Sequence, residues 1–337
     1  MTELQCAVLQ VLAEQGGRPL AALTKQLDLS MSVLLRELDA LGDHRDGGLG
    51  WIALEPYGAE LSLQRKVSLT AAGEAAARML LPRAGEALRQ VDALRYDIGM
   101  HESREMLMAE VPVGIVLAGE SFAVMMATPT DLEDFAAGLL FSEGLVGAVS
   151  EIHGIELHAQ PSGINLYLSV DEACRQRAVE RSRTLAGPSG CGLCGARNLG
   201  SALRPPRRVT ALDVSVDAIQ RARAQLEAQQ GLNAQTGAAH AALLFDGAGT
   251  LLAAREDVGR HNALDKAIGA CLRAGSAPAL ALLSSRASVE LVQKCMMANV
   301  SAMATVSAPT AAAVDLARAC GMQLWAFVRE GRATRYA

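Results

Sequence analysis

The sequence predicts an α/β protein: a mostly parallel sheet covered by helices, preceded by a separate and mainly helical domain. Strands and helices alternate after residue 209, two pairs of strand-like runs come before it, and the apolar pattern changes near residue 95. The chain has 337 residues, of which 50% are hydrophobic, and this is enough for two or three domains with cores of their own. We expect these domains at residues 1–94, 95–208 and 209–337.

The first domain should contain three helices, two strands and a fourth helix. Apolar residues at helical spacing, a proline at a helix start and a serine at a cap position mark the helices. This order, and the stretch VSLTAAGEAAARML at 67–80, resemble a winged helix-turn-helix domain of bacterial regulators. The signals lie at 3–14, Pro19–Leu27, Ser30–Gly42, Trp51–Leu54, Leu61–Leu69 and from Thr70 onwards.

Residues 30–42 would form the helix that contacts DNA in such a domain. A recognition helix presents hydrogen-bond donors to base edges and cations to phosphates. This segment offers Arg36 as its single cation, beside the acids Glu37 and Asp39. Because DNA binding depends on several phosphate contacts, we expect no sequence-specific DNA binding. We interpret the domain as a winged helix used for protein contacts or dimerisation.

The second domain should contain strand pairs and a helix, and the third should alternate strands with helices. Residues 111–129 are typical of a hairpin that turns at Ala118–Glu120. Thr130 and Glu133 have the spacing of a capping box, which predicts a helix start. The remaining elements are expected as strands 152–158 and 164–170, helix 214–229, strands 241–245 and 251–254, helix 261–273, strand 279–284, helix 287–298, strand 302–306, helix 310–319 and strand 322–328.

A glycine-rich loop at Gly187–Gly195 contains Cys191 and Cys194 at C-x-x-C spacing. Three functions are typical of such a pair in a protein with reduced thiols. A structural zinc site needs four ligands, and no second pair of cysteines is present. A thioredoxin-like redox pair would begin a helix after a strand, whereas this loop follows a basic segment at Arg175–Arg183. The third function is a thiolate that carries sulfur as a persulfide, since nearby arginines lower a thiol pKa; the residues alone leave these alternatives open.

Three polar clusters follow predicted strands of the third domain. They are Arg255–Asn262, Leu283–Ser288 and Phe327–Arg332. In an open α/β sheet, ligands bind beyond the carboxyl ends of the strands, and a helix start there offers N–H groups to an anion. Phe327 can stack on a base, and the arginines beside it can pair with phosphates. The clusters therefore predict a nucleotide-type site, and an excess of basic over acidic side chains in 151–337 suits a phosphate-rich ligand.

Six motifs occur in the order SGCGLCG, TGAAHAALLF, EDVGRHNALDKAIG, SSRASVELVQK, TVSAPTAAAVDLA and FVREGRATRY. Together they resemble the formate dehydrogenase accessory sulfurtransferase family, FdhD, over about residues 95–336. The resemblance implies a cytidine-deaminase-like three-layer α/β/α core with a small α+β subdomain. It also implies a sulfurtransferase that accepts sulfane sulfur from a cysteine desulfurase as a persulfide. The sulfur would pass to the bis-molybdopterin guanine dinucleotide molybdenum cofactor, which is bound as cargo before insertion into the formate dehydrogenase catalytic subunit.

The resemblance also assigns residues. Cys191 corresponds to the cysteine that carries the persulfide, and Cys194 corresponds to its companion, which either supports the persulfide or resolves it as a disulfide. The winged-helix extension lies outside the usual family, so no role is implied for it; a homodimer stays open, and no structural metal is expected. The segment for the guanine nucleotide is Phe327, Val328, Arg329, Glu330, Gly331 and Arg332, and Asp257, Arg260, His261, Ser284 and Arg286 lie in motifs on the same face.

Other functions are weaker alternatives. A zinc nucleobase deaminase needs an H-x-E motif and a downstream P-C-x-x-C. Here the C-x-x-C pair lies upstream of the core without that proline, and two alanines follow His240, so we exclude a deaminase. A regulator that senses the molybdenum cofactor and acts through the winged helix is the main alternative, and a scaffold that does not need Cys191 is another. The first residues lack signal-peptide features and the apolar runs are short, so we expect a cytoplasmic protein without a membrane span.

Overall fold

The computed structural model describes residues 2–42, 48–55, 65–80, 84–96, 100–160, 162–184 and 204–337. The chain divides into two compact units. The first unit comprises Met1–Arg83 with Ala159–Ile164, and the second comprises Ala84–His158 with Asn165–Ala337.

In its described residues, the first unit contains four helices and a small antiparallel sheet, in which the third strand lies between the first and the second. Ser30 caps the third helix by accepting a hydrogen bond from the Val33 N–H, as the sequence predicts. Glu37 is buried and accepts hydrogen bonds from Thr2 and Gln5, which ties the third helix to the start of the first. The elements are α1 (Glu3–Gln15), β1 (Arg18–Pro19), α2 (Leu20–Leu27), α3 (Met31–Leu41), β2 (Ile52–Glu55), β3 (Lys66–Leu69) and α4 (Ala71–Leu80).

The second unit begins with a two-stranded ribbon, β4 (Leu88–Tyr96) and β5 (Met100–Met108). The sequence pattern predicts neither strand. The division between the units falls after Arg83 rather than after residue 94, because Leu94 lies inside β4, where it pairs with Glu102. The N-terminal unit is therefore about ten residues shorter than expected.

A four-stranded sheet and a helix follow the ribbon. The sheet has the order β7-β6-β9-β8 and comprises β6 (Val111–Leu117), β7 (Glu120–Ala127), β8 (Ile152–Gln160) and β9 (Gly163–Val170). The hairpin of β6 and β7 turns where the sequence predicts it. Helix α5 (Leu132–Ser142) starts after Asp131, which has a φ of 51° and no side-chain cap, so the capping box predicted at Thr130 is wrong. Helix α6 (Glu172–Thr184) follows β9.

The largest element of the second unit is a six-stranded sheet with the order β11-β10-β12-β13-β14-β15. The pairings of β12 with β13 and of β13 with β14 are parallel. The pairings of β11 with β10, of β10 with β12 and of β14 with β15 are antiparallel. The sheet is therefore mixed rather than mostly parallel. Its elements are α7 (Val216–Leu226), α8 (Gly231–Thr236), β10 (His240–Phe245), β11 (Leu251–Asp257), α9 (Arg260–Arg273), β12 (Leu280–Leu283), α10 (Val289–Met297), β13 (Ala302–Thr305), α11 (Ala311–Cys320), β14 (Gln323–Arg329) and β15 (Arg332–Arg335).

Helices cover both faces of this sheet. Alternate strand residues such as Leu243 and Leu282 pack against α7 on one face. The residues between them, such as Leu244 and Leu283, pack against α9, α10 and α11 on the other face. This alternation follows from the two-residue period of a strand, and it produces three layers in the order α/β/α.

Helices α5 and α9 cross very closely at Gly138 and Gly269. A Cβ atom on Gly138 would lie 1.8 Å from the Asp265 carbonyl oxygen, and one on Gly269 would lie 1.9 Å from the Asp134 carbonyl oxygen. Each glycine therefore makes room for the backbone of the other helix. Asp134 of α5 also pairs with Arg255 and Arg273, at 2.7 and 2.6 Å.

Candidate functional site

The polar clusters predicted at strand ends lie along one edge of the six-stranded sheet. The parallel strands β12, β13 and β14 all end there. His240, at the start of β10, pairs with Asp257, at the end of β11. Ser284 follows β12. Its backbone N–H donates to the Ala241 carbonyl, and its hydroxyl oxygen accepts from the Ala241 N–H. Because β12 and β14 are separated by one strand, their ends lie about 10 Å apart, a distance that one nucleotide can span.

Asp257 lies beneath this edge and is completely buried. Its carboxylate accepts hydrogen bonds from the backbone N–H groups of Thr128 and Gly259, at 3.0 and 2.8 Å, and from the Asn262 side chain at 2.9 Å. The Lys266 ammonium, also completely buried, lies 2.7 Å from the same carboxylate. Both carboxylate oxygens of Asp257 are thus bound within the protein. Asp257 therefore supports the site indirectly, by holding the start of α9 in place.

Arg260 and His261 form the first turn of α9, directly above Asp257. His261 is 7% exposed. Burial, with smaller effects from the nearby Lys294 and Arg260 cations, lowers the pKa of His261 from 6.5 to about 4, so the imidazole is neutral at physiological pH. The His261 Nε2 and Arg260 Nε atoms are buried and have no hydrogen-bond partner among the described residues. Unpaired buried polar atoms are rare in folded proteins, and each needs a specific explanation.

The segment Phe327–Arg332 lies at the end of β14 and contains a distorted backbone. Phe327 has a φ of 53°, in the left-handed region, at an irregularity in the pairing of β14 with β15. Such a conformation is costly for a bulky residue and is found preferentially at functional sites. The distortion leaves the Phe327 ring 37% exposed. Arg329 donates to the Val306 carbonyl at the end of β13, which holds its guanidinium at the strand edge.

The other predicted residues of this segment and of the β12 end divide into exposed and buried ones. Arg286, Glu330 and Arg332 are exposed and accessible to a ligand. Val328 is completely buried in the core between the sheet and α7. The Val328 side chain therefore cannot contact a bound nucleotide, and only its backbone can.

A second group of charges, which the sequence analysis does not predict, lies between α5, α9 and α10. The Lys294 ammonium is 2.8 Å from the Asp265 carboxylate, and Ser142 donates to the same carboxylate at 2.7 Å. Burial disfavours the charged form of Lys294, but the Asp265 and Glu143 carboxylates together outweigh this effect and raise the pKa of the lysine. The sequence pattern gives no signal for this pair, because charged residues are rarely fully buried.

Cys191 and Cys194 lie outside the described residues. The described residues on either side of their segment contact one turn, formed by residues 143–145. Arg177 of α6 donates to the Leu145 carbonyl at 2.7 Å and pairs with Glu151 at 2.6 Å. Arg204 donates to the Glu143 carbonyl and lies 3.3 Å from its carboxylate. A cavity of about 570 Å³ beside this turn is lined partly by Met296 and Met297.

Within the described residues, no group of three or more His, Cys, Asp and Glu side chains could hold a metal ion. In that same part of the chain, no helix has both the length and the apolar composition needed to cross a membrane.

The fold and the site define a class: a three-layer α/β protein whose mixed sheet carries exposed arginines and an exposed aromatic ring at its strand ends. The profile of the FdhD/NarQ family matches residues 108–337. The chain therefore belongs to the FdhD/NarQ family.

Individual relatives agree with this assignment. The sulfur carrier protein FdhD of Bordetella bronchiseptica is 45% identical over 230 residues, which are 67% of this chain and 83% of that protein. The protein of the same name from Xanthomonas euvesicatoria is 43% identical over 230 residues, 67% of this chain and 82% of that protein. A crystal structure described as a formate dehydrogenase accessory protein, from Desulfotalea psychrophila, has a TM-score of 0.60 at 23% identity and covers 74% of this chain and 97% of its own. That structure supports the fold.

Proposed function

We propose that this protein is a sulfur carrier that takes sulfane sulfur from a cysteine desulfurase and delivers it to the bis-molybdopterin guanine dinucleotide molybdenum cofactor for formate dehydrogenase. Membership of the FdhD/NarQ family, whose relatives are named sulfur carrier proteins, is the observation that carries the proposal. The strand-end site supports it, because exposed arginines and an exposed aromatic ring suit a guanine nucleotide.

In the first step, the Cys191 thiolate attacks the terminal sulfur of a desulfurase persulfide. The sulfur–sulfur bond of the donor breaks, a new bond to Cys191 forms, and the donor cysteine leaves as a thiolate. In the second step, the Cys194 thiolate attacks the inner sulfur of the Cys191 persulfide. A Cys191–Cys194 disulfide forms, and the terminal sulfur leaves as sulfide to the cofactor, so the two thiols supply the electrons. The alternative role of Cys194 is to support the persulfide without forming a disulfide.

The test of the sulfur step is intact-mass spectrometry after incubation with a cysteine desulfurase and cysteine. The protein is expected to gain the mass of one sulfur atom, and Cys191→Ala is expected to remove this gain and to abolish formate dehydrogenase maturation. Cys6→Ala, in the first unit, is the matched control and should leave both unchanged. Full maturation with Cys191→Ala would refute the sulfur-carrier proposal and favour a scaffold.

The test of the nucleotide step is calorimetry with GDP. Arg332 is exposed at the strand-end site, and loss of one charge-assisted contact should weaken GDP binding roughly ten- to hundred-fold. Arg335 lies three residues further along β15 and stacks on the Trp325 ring at 5.8 Å, so Arg335→Ala is the control and should bind GDP normally. Equal affinities in the wild type and in Arg332→Ala would move the site elsewhere.

The first unit has the element order of a winged helix, and we propose that it serves protein contacts rather than transcription control. Arg36, the cation of α3, is 73% exposed but already lies 3.1 Å from Glu37. Asp39 is exposed on the same helix. Such a surface cannot neutralise several phosphates, so a gel shift at about 0.15 M salt should detect no specific DNA complex. A footprint that Arg36→Ala removes would instead support a regulator that responds to the molybdenum cofactor.

A further inference from the structure

Helix α9 begins at the strand-end site without a side-chain cap. Gly259 occupies the N-cap position, and no acidic residue lies in the first turn. The first N–H groups of a helix have no partner within the helix, and the helix dipole favours an anion beside them. The start of α9 is therefore suited to an anionic group of a ligand.

Two side chains of this turn provide a second, independent indication of a ligand. His261 is more than nine-tenths buried, and its Nε2 atom has no hydrogen-bond partner among the described residues. The Nε atom of Arg260 is also buried without a partner in that part of the chain. A bound anion beside this turn accounts for both, because it attracts the guanidinium and stabilises a proton on the imidazole.

His240 adds a second imidazole to the same place. It is half-buried at the start of β10, opposite Asp257 at the end of β11. Its neighbour Ala241 donates through its backbone N–H to Ser284, which follows β12. His240 therefore lies between two strand ends of the site. Burial, with a smaller contribution from the Arg260 cation, lowers the pKa of His240, and the Asp257 carboxylate opposes this only partly.

The surroundings of His261 keep its imidazole neutral. The ring faces Arg260 on its own helix, Lys294 and Glu290 on α10, and His240 on β10. Burial and the two cations lower the pKa of His261 to about 4, against the weaker opposing effect of Glu290. Negative charge brought to the start of α9 acts in the opposite direction, since an anion favours the protonated ring.

We propose that the strand-end site binds the diphosphate of its ligand together with a proton, which His240 and His261 receive from solvent. The inference rests on the proposed function, because a guanine dinucleotide supplies the diphosphate. No covalent bond to the ligand forms or breaks in this step. The proton adds to a ring nitrogen, and the charge of the imidazolium balances part of the diphosphate charge. At Nε2 of His261, no hydrogen bond to a described residue has to break.

The expected uptake follows from the pKa of His261 in the protein by itself. An opposite charge within about 4–6 Å changes a pKa by roughly 1–3 in favour of the charged form. From a pKa of about 4, this places half-protonation of His261 near about pH 6 in the complex. The complex then holds about half a proton more than the free protein at that pH, and His240 adds to this. Affinity should therefore increase as pH falls, by about threefold or more per pH unit in this range.

The test is isothermal titration calorimetry of the full chain with GDP-mannose at about pH 6, where histidines titrate. The diphosphate of this probe is a diester, so the probe itself does not titrate near that pH. The binding enthalpy is measured in MES and in Bis-Tris, whose ionisation enthalpies differ, and its dependence on the buffer gives the number of protons taken up. The wild type should take up about half a proton or more. Equal enthalpies in the two buffers, after identical binding, would overturn the inference without any variant.

Variants assign the proton to the two histidines. The double variant His240→Gln/His261→Gln should bind GDP-mannose with no dependence on the buffer, and each single variant should lose part of the uptake. His153→Gln is the matched control, because His153 is exposed on β8 and pairs with Asp171 at 2.7 Å; it should keep the full uptake. Uptake that persists in the double variant would assign the proton to another group, such as Glu290, and overturn the inference.

The outcomes separate this inference from the proposed function. GDP-mannose that binds without proton uptake overturns the inference alone and leaves the nucleotide site in place. GDP-mannose that does not bind at all overturns both, because the guanine end of the proposed cofactor is the same kind of diphosphate diester.

Discussion

Breaking the buried ion pair of Asp257 and Lys266 should destabilise the second unit, and the two single changes should have unequal costs. Both side chains are completely buried, 2.7 Å apart. Removing one partner of such a pair typically costs about 3–5 kcal/mol, because the other charge stays buried. In Lys266→Met, the Asp257 carboxylate keeps three N–H donors, from Thr128, Gly259 and Asn262. In Asp257→Asn, the ammonium keeps the Thr128 carbonyl at 2.9 Å and loses its counter-charge.

We therefore expect Asp257→Asn to cost about 4–5 kcal/mol and Lys266→Met about 3 kcal/mol in the free energy of unfolding. The double variant should cost less than the sum, by roughly 2–3 kcal/mol, because it leaves no unpaired charge in the core. The exposed Arg221, on α7 of the second unit, supplies the control: Arg221→Met should change stability by less than about 0.5 kcal/mol.

Fluorescence can follow the second unit by itself. The chain has two tryptophans, Trp51 in the first unit and Trp325 in β14 of the second. In a Trp51→Phe background, urea unfolding monitored by Trp325 therefore reports on the six-stranded sheet. Costs below about 1 kcal/mol, additive costs in the double variant, or a larger loss for Lys266→Met than for Asp257→Asn would refute the reasoning.

Three further changes have defined outcomes. Gly138→Ala should cost several kcal/mol, because a Cβ there meets the α9 backbone at 1.8 Å, whereas Gly231→Ala, with nothing within 4 Å, should be neutral or stabilising; similar thermal midpoints would contradict this. The pKa of His261 is lowered from 6.5 to about 4, so the unfolded chain binds the proton first as pH falls, and stability should drop by on the order of 3 kcal/mol between those values. His261→Phe should flatten that part of the pH profile in urea titrations, and an unchanged slope would contradict it. A chain that starts at Ala84 should fold and accept sulfur, and one that starts at residue 95 should lose the ribbon's pairing, because the second cut removes most of β4; identical circular dichroism of the two chains would contradict this.

The sequence predicts the helices and strands whose buried side chains recur at a regular spacing. It does not predict those whose buried side chains lack such a spacing. Five strands of the six-stranded sheet, β10 to β14, and the cap at Ser30 are of the first kind. The ribbon is of the second kind: β4 and β5 expose charged residues such as Arg95 and Arg104 on the same faces as apolar ones, so no two-residue alternation appears. Strand β15 is also missed, because its sequence RATR contains a single apolar residue, Ala333.

The periodicity of apolar residues also does not indicate the direction of a strand or which charged residues are buried. Periodicity indicates that 241–245 and 251–254 are strands, but only the hairpin between them makes β11 antiparallel to β10. Lysine is rarely fully buried, so nothing in the composition predicts that Lys266 has no exposed surface. The capping box at Thr130 fails for a local reason: Asp131 adopts a left-handed conformation and starts α5 itself.

Helix α9 links the strand-end site to the turn formed by residues 143–145. Its first turn carries Arg260 and His261 at the strand-end site, and Lys266 fixes that turn through Asp257. The adjacent Asp265 projects about 100° away around the helix and binds Lys294, which lies 3.6 Å from Glu143.

Glu143 belongs to the turn that Arg177 and Arg204 contact, and these two arginines stand on either side of the cysteine-bearing segment in the chain. Helix α9 is thus linked both to described residues that flank Cys191 in the chain and to described residues at the strand-end site. The ion pairs that make these links are largely withdrawn from water. Because α9 also crosses α5 at backbone contact distance, it cannot shift without breaking that crossing. Sulfur delivery as proposed above would gain from such rigidity, since positioning depends on the support behind the reacting groups.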